Sequence, residues 1–231
     1  MVSISAILLL HSISIYSGVC NEYAGLLCLM ISTIYVSSLR LMLKKELRNI
    51  YRQKRLELSE KDKMKLDDLL LIQFQNMSFE NVHSLFTYWP MPHTAEPDTL
   101  LFTRYLLHMI PNLKVAYPVI DVLAVSMQAV LVNEETIYHI NTFGTTEPKE
   151  GEVLTPASID LVFIPMLICD KAGYRVGFGK GYYDRYLQHC REDVLKIGFS
   201  YFEPVDKVED THEFDVPLNY CVTPHRIYEM N

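Results

Sequence analysis

Charge is almost missing from the first forty residues: residues 1–39 hold one charged side chain, Glu22, before Arg40 follows. A basic excess is missing from the chain as a whole. Lys and Arg number 21 against 28 Asp and Glu, a net charge of -7, which argues against a general nucleic-acid binder. Paired cysteines are also missing. Cys20, Cys28, Cys169, Cys190 and Cys221 are odd in number and form no CxxC, so neither a disulfide framework nor a zinc site is indicated and a reducing, cytoplasmic compartment is the simplest reading. Nine glycines and eleven prolines are too few for a collagen-like or low-complexity chain. What is present is a 231-residue chain, 49% hydrophobic and 21% charged, which suits one domain with a sizeable core and not disorder.

The apolar N-terminal extension, residues 1–41, admits three readings. A secretory signal lacks its basic start and a small-x-small cleavage site. A membrane segment has two uncharged runs, 1–21 and 23–39, of moderate hydropathy, with Arg40, Lys44, Lys45 and Arg48 behind them on the cytoplasmic side. The third and favoured reading is that translation begins at Met42. Membrane contact is then expected only if residues 1–41 are translated. Their removal takes away one acid and one base, so the charge of -7 is unchanged.

Residues 42–231 read as a single three-layer α/β/α domain with a mainly parallel sheet. Lys44, Arg48, Arg52 and Arg55 recur along one face of a first helix, a stripe that by itself reads as a solvated surface. Ser59 and Asp62 open a second helix that runs through Phe74. Strands are expected over 82–88, over 114–117 ended by Pro118, and over 122–132, with a helix over 98–109 between the first two. Residues 147–152 read as a polar loop. The short apolar run DLVFIPM at 160–166 reads as a buried parallel strand, followed by a glycine-rich loop and a helix over 181–189. Strands over 195–199 and 220–223 complete alternating βαβ units.

The chemistry concentrates in GYRVGFGKGYYDR at 173–185. Gly177, Gly179 and Gly181 alternate between a buried strand and a helix, where open α/β sheets bind ligands. Glycines let a backbone approach a ligand, and exposed N–H groups at a helix start favour anions. Arg175 and Lys180 add charge suited to phosphate, and Asp184 a hard oxygen of the kind magnesium uses. The spacing is neither a Walker A loop nor GxGxxG. Alone the glycines fit a tight turn equally well; the charged and aromatic neighbours favour an anion site.

RVGFGKGYYDRYL, preceded by DLVFIPMLICDKAGY, closely resembles the signature of the 5-formyltetrahydrofolate cyclo-ligase family. KKELRNIYRQKR at 44–55, Glu96-Pro97-Asp98-Thr99, Glu147-Pro148 and the tail FDVPLNYCVTPHRIYE agree in order, with Phe214 and Asn219 as departures. The resemblance begins just after Met42, the main ground for placing the start there. It implies an enzyme that uses ATP and Mg2+ to cyclise 5-formyltetrahydrofolate to 5,10-methenyltetrahydrofolate, releasing ADP and phosphate. Its partners would be small molecules, a reduced folate and ATP, with no nucleic acid, acting on a monomer. Carried across position by position, Lys44, Lys45 and Arg48 match a nucleotide-binding segment, and Arg175, Val176, Gly177, Phe178, Gly179, Lys180, Gly181, Tyr182 and Tyr183 an ATP loop. Phe178 to Tyr182 would also lie close to the folate. Lys180 and Arg175 would act on the transferring phosphoryl group, and Asp184 and Asp215 hold magnesium. Glu96, Thr87 and Tyr117 match or neighbour substrate contacts, and Trp89 is a further candidate to pack on a pterin.

Two other function classes were open on the residues. A non-catalytic folate- or nucleotide-binding protein on the same scaffold would not need Lys180, Asp184 and Asp215, which are all present. A sugar-phosphate isomerase or acyl-transferring enzyme has no use for a basic helix beside a magnesium carboxylate. The histidines show no metal-ligand spacing and read as surface or capping residues. Cys169 reads as a buried neutral thiol, and Asp170 as a turn stabiliser.

Overall fold

A computed structural model describes residues 42–142 and 144–230; the apolar extension 1–41, and with it the placement of the start at Met42, lies outside the described residues. The elements in chain order are α1 (Lys44–Leu56), α2 (Glu60–Phe74), β1 (Ser84–Phe86), α3 (Thr99–Met109), β2 (Lys114–Asp121), β3 (Ser126–Leu131), β4 (Tyr138–Ile140), β5 (Thr146–Pro148) and β6 (Val153–Leu154). Then come β7 (Leu161–Ile164), β8 (Ile168–Cys169), β9 (Arg175–Val176), α4 (Tyr182–Leu187), β10 (Leu195–Phe199), β11 (Tyr220–Val222) and β12 (Ile227–Glu229). Local chemistry sets the helix starts. The Ser59 hydroxyl accepts the Asp62 N–H at 3.1 Å, and the Asp98 carboxylate accepts the Leu100 N–H at 3.0 Å.

Eight strands form one sheet in the order β12-β11-β10-β7-β1-β2-β3-β6. The pairs β11–β10, β10–β7, β7–β1 and β1–β2 are parallel, and the flanking pairs β12–β11, β2–β3 and β3–β6 antiparallel. Strand alternation divides the core between the two faces. Leu161 and Phe163 of β7 pack with Leu70 and Phe74 of α2 and Phe102 and Leu106 of α3. Val162 and Ile164 face the other way, onto Tyr186 and Leu187 of α4. The result is the expected α/β/α layering. Phe74 gathers the first face, with Phe163 at 5.7 Å and Phe199 at 5.5 Å edge-on. Each such buried ring contributes about 2–3 kcal/mol through burial.

Four expectations are corrected. Pro118 does not end β2, which runs on to Asp121. Its pairing with β1 covers only Lys114, Val115 and Ala116, so Pro118 sits where β2 keeps β3 alone as a partner, and its missing N–H leaves no ladder open on the far side. Residues 122–125 are apolar but form a turn, because Asp121 accepts the N–H groups of Leu123 and Ala124, both at 2.9 Å, and Val125 takes a φ of 50°. Glu147 and Pro148 are strand and not polar loop: β5 pairs with β4, and buried Glu147 accepts from Ile120 N–H at 3.1 Å and Asn141 Nδ2 at 2.6 Å. The last helix, α4, is six residues long and shorter than 181–189. The β8–β9 hairpin and β12 were not foreseen.

A third cluster places α1. Leu47 packs with Ile168, Val176, Val205 and Val208, which fixes the helix against the β8–β9 hairpin. The basic stripe of α1 thereby borders the loop that follows β9, with Lys44 and Arg48 half-buried and Arg52 exposed.

Candidate functional site

Asp170 builds the turn between β8 and β9. Its Oδ1 accepts the N–H groups of Ala172 at 3.0 Å and Tyr174 at 2.9 Å, and its Oδ2 that of Val208 at 2.9 Å. Gly173 completes the turn at φ +87°, where a Cβ would lie 2.9 Å from the Leu218 carbonyl oxygen. The chain then enters β9 with Arg175 aimed at two partners. Its Nη2 donates to Asp184 Oδ1 at 2.8 Å and its Nη1 to the Val216 carbonyl. Burial pulls this guanidinium below its ordinary value, and the Asp184 carboxylate opposes that pull.

Past β9 the backbone needs glycine. Gly179 has φ +88° and Gly181, at the start of α4, φ +71°. Arg48 crosses this loop. It donates Nε–H to the Gly177 carbonyl at 2.9 Å, and a Cβ on Gly179 would lie 3.2 Å from its guanidinium carbon. On the other side Arg185 donates to the Lys180 carbonyl at 2.7 Å and to the Val125 carbonyl at 3.1 Å, tying the loop to the β2–β3 turn. At the start of α1, Lys44 makes an ion pair with Asp215, whose Oδ2 also accepts the His212 N–H at 2.6 Å. Burial alone would raise the Asp215 carboxyl, but the hydrogen bonds from Lys44 and His212 outweigh it and hold it below the ordinary carboxylate value.

These groups surround one cavity of about 540 Å³ at the carboxyl ends of the parallel strands. Its wall collects Lys44, Arg48 and Arg175, the loop from Gly177 through Tyr183, and both Asp184 and Asp215. Arg52, Met91, His93, Thr94, Ile120, Thr145 and Pro165 also line it. Five cations (Lys44, Arg48, Arg52, Arg175 and Lys180) face two carboxylates there, so the cavity attracts anions.

Five expected site residues stand off this wall. Lys45 is exposed one position round the helix from Lys44, whereas Lys44, Arg48 and Arg52 share a face at intervals of four. Val176 is buried in the third cluster, because strand alternation turns it away from Arg175. Thr87 is buried behind the wall, its hydroxyl 3.4 Å from that of Thr103. Tyr117 is buried against Trp89, ring centroids 5.4 Å apart. Glu96 is buried too; its Oε2 accepts the Met91 N–H at 2.7 Å, and its Oε1 has no hydrogen-bond partner among the described residues. Burial raises the Glu96 carboxyl.

The solvated reading of the α1 stripe is overturned, since Arg52 lines the cavity and Arg55 is fully buried. Met91, His93 and Thr145 come from segments that carry no motif, so no signal marked them, whereas Thr94 opens the segment 94–99 that the family resemblance covers. Cys169 is buried beside Cys221, and that neighbouring thiol together with burial pushes its pKa up, away from nucleophilic use.

No group of three or more His, Cys, Asp or Glu fit to hold a metal occurs among the described residues. Magnesium, however, is commonly held by one or two carboxylates plus substrate phosphates and water. Asp184 fits this, since both its contacts use Oδ1 (Arg175 at 2.8 Å and the Val216 N–H at 3.2 Å) and the residue lines the cavity. Asp215 likewise directs both contacts to Oδ2. No described helix is long and apolar enough to cross a membrane.

The fold and the site define an α/β protein with a cationic cavity where its parallel strands end. Over residues 35–224 the sequence matches the 5-formyltetrahydrofolate cyclo-ligase family, and the chain belongs to that family. The match starts upstream of Met42. It is 44% identical over 74 residues to a 5-formyltetrahydrofolate cyclo-ligase of Mycoplasma genitalium, covering 32% of this chain and 45% of that protein. Identity to the Haemophilus influenzae protein of the same name is 31% over 153 residues, covering 64% of each. The chain thus spans between about half and two thirds of these curated relatives. The solved structure of Aquifex aeolicus 5,10-methenyltetrahydrofolate synthetase superposes with a TM-score of 0.68 at 28% identity, covering 82% of this chain and 94% of that one.

Proposed function

We propose that this protein uses ATP and magnesium to cyclise 5-formyltetrahydrofolate to 5,10-methenyltetrahydrofolate, with release of ADP and phosphate. One observation carries the reading beyond family membership. The basic face of α1, the glycine loop and two carboxylates, far apart in sequence, line a single cavity. A formamide oxygen is a poor leaving group. Transfer of the ATP γ-phosphoryl to that oxygen activates the carbon, the neighbouring N10 amine attacks it, and phosphate leaves as the ring closes. Such a reaction needs positioning, charge neutralisation and exclusion of water, not a covalent nucleophile.

The residues divide these tasks. Lys44, Arg48 and Arg175 neutralise the triphosphate, with Arg48 also bracing the loop through the Gly177 carbonyl. Lys180 supplies charge at the transferring group. Magnesium, held by Asp184 and Asp215 together with phosphate oxygens, would withdraw charge from the leaving ADP. Glu96, held by the lining residue Met91, stands behind the wall with Thr87, Tyr117 and Trp89, at the end of the cavity proposed for the pterin. Lys45 and Val176 flank the site and contribute no side chain to it. Cys169, Cys190 and Cys221 carry free thiols, in keeping with a reducing, cytoplasmic setting for a monomer acting on two small molecules.

The purified full chain should generate the near-ultraviolet absorbance of methenyltetrahydrofolate from 5-formyltetrahydrofolate, and only with ATP and magnesium together. Lys180→Ala should abolish turnover with the fold intact, and Asp184→Asn should raise the magnesium requirement. Folate and ATP binding with no product at high enzyme concentration would leave a non-catalytic binding protein instead.

A further inference from the structure

Lys180 stands between Gly179 at φ +88° and Gly181 at φ +71°. Glycine flanks give a chain its widest backbone freedom, so local preference does not fix the direction in which the Lys180 side chain leaves the loop. A hold has to come from outside the loop, and Arg185 supplies one. Its Nη2 donates to the Lys180 carbonyl at 2.7 Å and its Nε to the Val125 carbonyl at 3.1 Å. The guanidinium lies close over Gly181, where a Cβ would be 3.4 Å from Nη1. Because the peptide unit is planar, fixing the Lys180 carbonyl oxygen restrains both ψ of Lys180 and φ of Gly181.

Both ends of this brace are themselves fixed. Arg185 rises from α4, whose next two residues, Tyr186 and Leu187, are buried with Met127 of β3. Asp184, the residue before it, is paired with Arg175 at 2.8 Å. At the far end, Val125 closes the β2–β3 turn that the Asp121 carboxylate holds through the Leu123 and Ala124 amides, both at 2.9 Å. Val125 has φ 50°, an uncommon value for a β-branched residue, and in this conformation its carbonyl meets Arg185. Neither Arg185 nor residues 121–125 line the cavity. Arg48, which grips the Gly177 carbonyl at 2.9 Å, does line it. A bound anion that draws on Arg48 therefore leaves the Arg185 brace in place.

We propose that Arg185 is a positioning residue for phosphoryl transfer: from outside the cavity it braces the Lys180 peptide against the β2–β3 turn, so that the Lys180 ammonium meets the transferring group. This deepens, and rests on, the reading of Lys180 as the charge at that group. The planar fork of an arginine suits two carbonyls at once, which a single ammonium nitrogen does not match. An exposed arginine that served only stability would contribute little, since water replaces it at both carbonyls.

Steady-state kinetics of the full chain read the role. Arg185→Ala should lower kcat about tenfold or more, because a small misplacement of a reacting group is enough for that. The KM for 5-formyltetrahydrofolate and for ATP should stay within about twofold, as no cavity-lining side chain is removed. Tm should fall by less than about 2 °C at this exposed position. Arg185→Lys should recover only part of kcat. A second readout needs no turnover. Trypsin cuts after Lys180 when the loop opens, and in Arg185→Ala that cut, followed by mass, should be about tenfold faster. A KM rise with unchanged kcat, or an unchanged rate of cleavage after Lys180, overturns the proposal. If the unaltered protein forms no product, the proposed function fails and this role with it. Product at the unaltered rate from Arg185→Ala overturns this role alone.

Discussion

Asp170 offers a test of how the site is braced. It is 1% exposed and serves three backbone N–H groups from two chain segments. In Asp170→Ala those amides lose their acceptor with unequal consequences. Ala172 is exposed, so water replaces the carboxylate there at little cost. Tyr174 is half-buried, and its unmade bond costs about 1 kcal/mol. Val208 is 1% exposed, so its N–H is left dry, at about 2 kcal/mol. The sum, about 3 kcal/mol, corresponds to a fall in Tm of about 6–12 °C for a domain of this size. Asp170→Asn should fare little better, because its oxygen keeps Ala172 and Tyr174 while its NH2 meets the Val208 N–H donor to donor. Thermal unfolding followed by circular dichroism reads both variants. A fall under about 2 °C for the alanine variant would refute the bracing role. A changed magnesium requirement at unchanged Tm would make Asp170 a metal ligand, against the geometry.

Two further outcomes follow from geometry elsewhere in the domain. Gly179→Ala must place a side chain at φ +88° and push the Arg48 guanidinium away from the loop, a strain of about 1–2 kcal/mol; the KM for ATP should rise about tenfold and Tm fall by about 2–8 °C, and an unaltered KM would show that the loop does not need this shape. Asp160 accepts from the His83 N–H at 2.8 Å, the Ser84 N–H at 2.9 Å and Arg191 at 2.9 Å. Burial would raise its carboxyl, but these bonds prevail and hold it below the ordinary 3.8. A depressed folded value means stability present above the unfolded pKa and lost as pH falls through the folded one. Urea midpoints of the native protein should therefore drop below about pH 4 more steeply than those of Asp160→Asn, and parallel profiles would refute the assignment.

Much of the framework is legible because local rules and tertiary context agree. Ser59 and Asp98 cap the helices that their positions imply, and the apolar runs of β7 and β10 are central strands with partners on both sides. Where context overrides local preference, legibility fails. The run 122–132 has uniform β-propensity, and only the Asp121 carboxylate, by seizing two amides, cuts it into turn and strand. Pro118 looks like a terminator until the short reach of β1 shows that the edge there is open. β4 and β5 are stabilised by Glu147, a charged residue whose burial no periodicity announces.

The site divides along the same line. Its motif residues were legible only together: alternating glycines alone fit a tight turn and a basic stripe alone a solvated surface, but the two converge on one cavity. Arg55 and Glu96 were not legible as buried charges. An arginine one turn beyond Arg52 reads as surface, and a glutamate before Pro97-Asp98 as a ligand contact. Only tertiary packing shows both as buried charges, each of which costs stability unless it finds partners. Lys44, Arg48 and Arg52 line the cavity, while Arg55, the last member of the same stripe, turns inward to the Met166 carbonyl. One helical periodicity thereby divides between cavity wall and buried interior, and the division falls between Arg52 and Arg55.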